Sequence, residues 1–163
     1  MAVRSSVPHR TDDDDGFTLI ELAVVILIIG ILLAVAIPTF LGVRRNAQNK
    51  AAQSSVRSAL TNAKGLASED GTYATILMPA LQAAQPDIRV APEPSTKPNE
   101  VSVEVDDQTG EIVLVSRAQT GECYWLHDNL DDDGAAASQQ YGKSSGAAEC
   151  VANQGPPAWK STW

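Results

Sequence analysis

Apolar positions are concentrated in one place along the chain. From Phe17 to Val43 there are 27 residues with a single ionisable side chain, Glu21, and at ~1.5 Å per residue such a helix can cross a hydrocarbon core of ~30 Å. Past Pro38 the pattern turns amphipathic. Ala52, Val56, Ala59, Leu60, Ala63 and Ala67 recur at steps of three and four, while Arg44, Arg45, Asn49, Lys50 and Arg57 supply polar positions. This predicts one helix continuing beyond the apolar run, with a stripe available for burial. From Phe17 to Lys64 it would hold 48 residues and reach ~70 Å. Gly65 and the polar Ser68-Glu69-Asp70-Gly71 predict where it stops.

The pattern beyond residue 68 is different. Pro79, Pro86, Pro92, Pro94 and Pro98 predict a loop over residues 79 to 99, with a short helical turn at Leu77 to Ala84 and no regular strand before Glu100. Val101, Val103 and Val105 then alternate with Ser102 and Glu104. Asp106 to Gly110 supply turn residues and Ile112 to Val115 resume strand composition, which is a hairpin signal. Gln119-Thr120-Gly121 turns the chain again into Glu122 to His127. At least three antiparallel strands, with one face covering the amphipathic stripe, make the expected class α+β: a long amino-terminal transmembrane and amphipathic helix on a small antiparallel sheet.

Charge sharpens the division. The whole chain carries a net charge of -8, split as -2 over residues 1 to 16, +4 over 17 to 67 and -10 over 68 to 163. The organisation read from this is a polar leader at 1–16, an apolar helix at 17–43, its amphipathic continuation at 44–67 and a head at 68–163. A pI of about 4.6, with no basic run longer than Arg44-Arg45, argues against direct nucleic acid binding. Two histidines and two cysteines, scattered, exclude a Cys/His metal cluster. A buried core helix is a poor account of residues 17 to 43, because the head is too polar to wrap it. A conventional secretory signal is no better: the run is too long, Asp12 to Asp15 precede it, and no Ala-x-Ala site follows.

Glu21 is costly in apolar surroundings and calls for a partner or a function. Cleavage between Gly16 and Phe17 would create an amine about one helical turn from it. Parallel, staggered copies could then pair the amine of one with the carboxylate of the next, setting subunit register. The alternative is a buried Glu21 kept protonated.

Asp15-Gly16-Phe17-Thr18-Leu19-Ile20-Glu21-Leu22 and the apolar run after it resemble the class III leader and amino-terminal helix of type IV prepilins and of type II secretion pseudopilins. The resemblance covers roughly residues 12 to 64 and does not extend into the head. It implies a prepilin leader ending at Gly16, cut by a membrane-embedded prepilin peptidase, with Phe17 becoming the mature first residue, methylated on its amine. Glu21 would be the assembly glutamate, acting with Phe17. Pro38 matches a kinking proline, and Gly30 a helix glycine near the segment that melts in assembled filaments. Asp15 departs from the pattern, since many such leaders carry a basic residue before the glycine.

The resemblance also implies partners: further copies of the chain joined through amino-terminal helices, an inner-membrane assembly platform with its ATPase, and the cell membrane before assembly. Lys and Arg counts favour a cytoplasmic carboxy-terminal side, with Arg4 and Arg10 before the apolar run and Arg44, Arg45, Lys50 and Arg57 after it. The resemblance implies the opposite, a single pass with a cytoplasmic amino terminus and a head outside a bacterial cell. Two cysteines in the head suit an oxidising space. Cys123 and Cys150, separated by 26 residues, either form a disulfide stapling a poorly patterned loop to the sheet or stay reduced and buried; many pilins close such a loop, and the resemblance favours the bond.

Other chemistry is sparse. Gly142-Lys143-Ser144 lacks the upstream glycine of a phosphate loop, where Ala137 stands. Asp131, Asp132 and Asp133 lack calcium-loop spacing and read as a solvated loop. His127 and Asp128 have no nucleophile at motif spacing, so no enzyme, cofactor or metal is expected. Tyr124, Trp125, Trp159 and Trp163 read as core or rim anchors, with Trp163 also a candidate subunit or adhesive contact. The expectation is a pilin that polymerises into a surface filament for adhesion, motility or DNA uptake. A secretion pseudopilin and a monomeric membrane-anchored binding module are the alternatives.

Overall fold

The structure, a computed structural model, describes residues 16–68, 70–130, 139–146 and 149–163. The leader up to Asp15 and the Asp131 to Asp133 loop therefore lie outside the described residues. Contacts divide the chain into two units, Met1–Leu41 and Gly42–Trp163.

The first unit is helical. Helix α1, Leu19–Ala67, has 49 residues and passes through Gly30 and Pro38. Pro38 has no N–H to donate, so the carbonyl of Ala34 loses its helical partner. One residue on, the Thr39 hydroxyl donates to the Val35 carbonyl at 3.1 Å. All residues from Gly16 to Leu41 are exposed, and none of the apolar window is buried.

In the second unit α1 buries the six residues that its periodicity marked: Ala52, Val56, Ala59, Leu60, Ala63 and Ala67. Small side chains let the helix backbone come close to the sheet. The helix ends at Ala67, whose carbonyl accepts from the Gly71 N–H at 2.9 Å. Gly71 has φ +69°, a left-handed conformation that glycine adopts without steric cost.

A short helix α2, Met78–Ala83, leads into six strands: β1 Arg89–Ala91, β2 Glu100–Val105, β3 Glu111–Arg117, β4 Glu122–Asn129, β5 Gln140–Ser145 and β6 Trp159–Lys160. They form one sheet in sequence order, with β1 parallel to β2 and every other pair antiparallel. Alternation sends Val101, Val103, Ile112, Leu114 and Leu126 to the α1 face, with Tyr73, Leu81 and Val90. Val113, Val115, Cys123 and Trp125 take the opposite face, beneath Cys150 and Ala152. One sheet thus supports apolar packing on both of its faces.

The expected helix on a small, mainly antiparallel sheet of at least three strands is what the structure has, with six strands and one parallel pair. Two expectations need correction. A strand does precede Glu100: β1 is a parallel edge strand of three residues, paired Arg89 to Glu100, with Pro92 closing it. The span between the cysteines is not simply loop, because β5 lies within it and pairs with β4. The proline-rich segment is also held from inside the head. Ser95 Oγ donates to the Glu100 carbonyl at 2.7 Å and accepts from the Arg117 N–H at 2.9 Å. Ser102 and Ser116 donate to the Pro92 and Pro98 carbonyls, both at 3.2 Å. Buried serines supply what proline nitrogens cannot.

Candidate functional site

The start of α1 gathers the marked residues. Gly16 and Phe17 precede the helix, and Phe17 is 84% exposed. Glu21 Oε2 accepts from the Thr18 N–H at 2.9 Å and from the Thr18 hydroxyl at 2.7 Å, while the Glu21 N–H donates to Thr18 Oγ1 at 3.2 Å. This is a reciprocal capping box: Thr18 caps the helix, and the side chain of Glu21 reaches back to satisfy an orphan amide. The spacing Thr18-Leu19-Ile20-Glu21 is its sequence signature, so Thr18 was legible as a partner of Glu21 and was missed. A cut between Gly16 and Phe17 leaves the box intact, because the Thr18 N–H belongs to the next peptide bond. Both Thr18 bonds fall on Oε2, and among the described residues no hydrogen bond reaches Oε1. Gly30 lies further along an exposed surface, and a Cβ there would meet nothing within 4 Å.

Within the second unit the sheet grips α1 at both ends. Near the amino-terminal side, Asn49 Nδ2 donates to Glu122 Oε2 at 2.7 Å and Gln48 Nε2 to Gln119 Oε1 at 2.8 Å. Glu122 also accepts from the Tyr124 hydroxyl at 2.5 Å and pairs with Lys143 Nζ at 2.9 Å. Burial pushes the Glu122 carboxyl up, but the bonds from Tyr124 and Lys143 and the lysine charge outweigh it and hold the group below its usual range. At the far end, Lys64 Nζ lies 3.1 Å from Oδ1 of the fully buried Asp128, too oblique for a hydrogen bond, and the Tyr73 hydroxyl donates to Oδ2. Burial, then that bond, raises the Tyr73 pKa far above normal. Asp128, considered beside His127 in the sequence, instead ties Lys64 of α1 and Tyr73 to the sheet.

Cys123 and Cys150 form a disulfide, with Cα atoms 5.6 Å apart. The chain beyond it wraps the β5 edge. Pro156 sits on Gly142, where any Cβ would collide with the proline ring; Trp159 pairs with Gly142 in the ladder. Trp163 then reaches the α1 face. Its indole N–H donates to the Trp125 and Gly142 carbonyls at 3.0 and 3.1 Å, and its ring packs on Tyr141 and beneath Arg57, 5.0 Å from the guanidinium. Trp163 is therefore an internal clasp, in line with the anchor reading, and its donor and faces are engaged within the head rather than held out for a subunit or adhesive contact. Among the described residues, no group of three or more His, Cys, Asp or Glu could hold a metal ion.

The sequence matches the prokaryotic N-terminal methylation motif over residues 13–37. It is 41% identical over 58 residues to a type IV major pilin protein, PilA, of Myxococcus xanthus, covering 36% of this chain and 26% of that protein. It is 46% identical over 66 residues to PilA5, a type IV narrow pilus major component of Thermus thermophilus, covering 36% of this chain and 57% of that protein. The matches thus span about a quarter and just over half of these relatives. No solved structure matches the chain. Relatives named as pilus components support a non-enzymatic assignment, and among the described residues one helix is long and apolar enough to cross a membrane, which supports membrane association. With the methylation motif over residues 13–37, pilin similarity along the amino-terminal helix and a helix packed on a sheet, the chain is similar to type IV pilins over its amino-terminal part.

Proposed function

We propose that the chain is a pilin: it is cut between Gly16 and Phe17, methylated on the Phe17 amine, held in the membrane by its apolar helix and polymerised into a type IV pilus-like surface filament. The observation that carries this reading is the apolar stretch of α1, exposed throughout and capped by Thr18 and Glu21, on a chain whose head already fills its own core. An apolar surface of that length needs lipid or other copies of itself. Parallel copies bury it without closing a ring, which produces an open helical polymer. The Glu21 Oε1 left free by the capping box accepts the amine of the adjacent copy, and Gly30 and Pro38 are where the helix yields on assembly.

In this reading a prepilin peptidase processes the subunit, a membrane platform with its ATPase drives extraction, the leader faces the cytoplasm and the head lies outside. Sheared surface material from the native organism tests it. Long filaments whose subunit begins at methylated Phe17 by mass spectrometry are expected; a native subunit retaining residues 1–16 would falsify the proposal. Short filaments seen only on overexpression, with exoprotein secretion lost on deletion, would instead identify a secretion pseudopilin.

A further inference from the structure

The sheet face opposite α1 holds a groove of about 370 Å³, lined by Glu104, Asp106, Glu111, Val113, Gln154 and Trp159 among others. Asp106 is held anionic: the Gln108 and Thr109 amides donate to its Oδ1 at 2.8 and 3.1 Å and keep its carboxyl below the usual range. Glu111 faces His127, whose Nε2 lies 3.2 Å from Oε2. Among the described residues, Glu104 and Asp106 form no ion pair. Trp159, its ring 5.5 Å from that of His127, adds an indole wall to these carboxylates. Acceptors beside an aromatic face suit a guanidinium, which stacks while its fork donates in the plane.

Guanidinium groups of the opposite need stand on the same unit. Arg44 and Arg45 are exposed on α1, just before it buries Ala52, and form no ion pair among the described residues. No acidic residue occurs between Glu21 and Glu69, so the helix cannot neutralise them. Nor can their own groove, because α1 occupies the other face of the sheet. We infer that the Glu104–Asp106–Trp159 groove of one copy receives the Arg44–Arg45 pair of a second copy. The inference rests on the filament reading. In parallel copies offset along their helices, the helix just amino-terminal to one head runs beside the head of the next. The contact would join the net charge of +4 on residues 17 to 67 to the -10 on residues 68 to 163.

A charge swap in the full-length chain, expressed in the native cell, tests the contact. Sheared filaments are pelleted and compared with the membrane pool. Glu104→Arg alone, and Arg44→Glu with Arg45→Glu, should each lower pelleted filament by roughly tenfold, and combining them should restore it to within about twofold. Glu104→Gln, which keeps the side chain's shape, should cost about threefold and weaken the salt dependence of pelleting. Wild-type filament levels in both charge-reversed variants, or failure of the combination to recover, would overturn the contact while leaving the filament reading intact. Loss of the arginine variant from the membrane pool would overturn it in favour of anionic lipid headgroups. Absence of filaments from the wild-type chain would remove the filament reading and this inference together.

Discussion

In the proposed filament Glu21 would answer two demands with two oxygens. Oε2 caps its own helix through Thr18, and Oε1 would accept the amine of the adjacent copy. Glu21→Gln separates them, since the amide oxygen still accepts from Thr18 while the charge is gone. The variant should be processed at Phe17 yet leave roughly tenfold less sheared filament; wild-type yield would mean that capping alone explains the residue. Gly142 is the other position where one atom decides. An added methyl must displace the Pro156 ring, so Gly142→Ala should destabilise the head by about 1 to 3 kcal/mol, read as a lower urea midpoint at unchanged slope.

At the scale of elements, the head holds α1 by apolar contact along the stripe and polar clasps at its ends. The carboxy-terminal segment needs separate help, because β6 has only two residues. The Cys123–Cys150 bond closes a loop with a sequence separation of 27, which removes about 3.5 kcal/mol of unfolded-state freedom on chain-entropy grounds. Replacing both cysteines by serine should lower head stability by about that amount in thermal or urea unfolding. The loss should centre on β5 to Trp163 and appear as faster amide exchange there.

For the molecule as a whole, acid is the informative perturbation. Glu122 and Glu100 both have folded-state pKa values below the 4.5 of an unperturbed glutamate; for Glu100 the main cause is the Thr96 hydroxyl bond. The unfolded chain therefore binds more protons in that range. Stability from these groups is present above about pH 4.5 and is lost as pH falls through the lower folded values. Unfolding free energy should decline with acid below that point. Glu122→Gln should flatten the decline and reduce stability at neutral pH, where its charge holds Asn49, Tyr124 and Lys143.

The local and periodic parts of this protein were legible in the residues alone. The apolar run, the six-residue stripe from Ala52 to Ala67, the Val101 to Val115 hairpin and the Glu122 strand each repeat at the period of the backbone that carries them. Such a signal survives without knowledge of partners. Thr18 belongs to the same category, since its bond to Glu21 spans one turn. Tertiary structure decided what depends on distant groups. β1 exists because β2 pairs with it, and β5 carries Gly142 because Pro156 needs the space. Trp163 is enclosed by Arg57 and Tyr141, and Asp128 is tolerable only between Lys64 and Tyr73. These positions answer to neighbours tens of residues away, and no spacing along the chain records them.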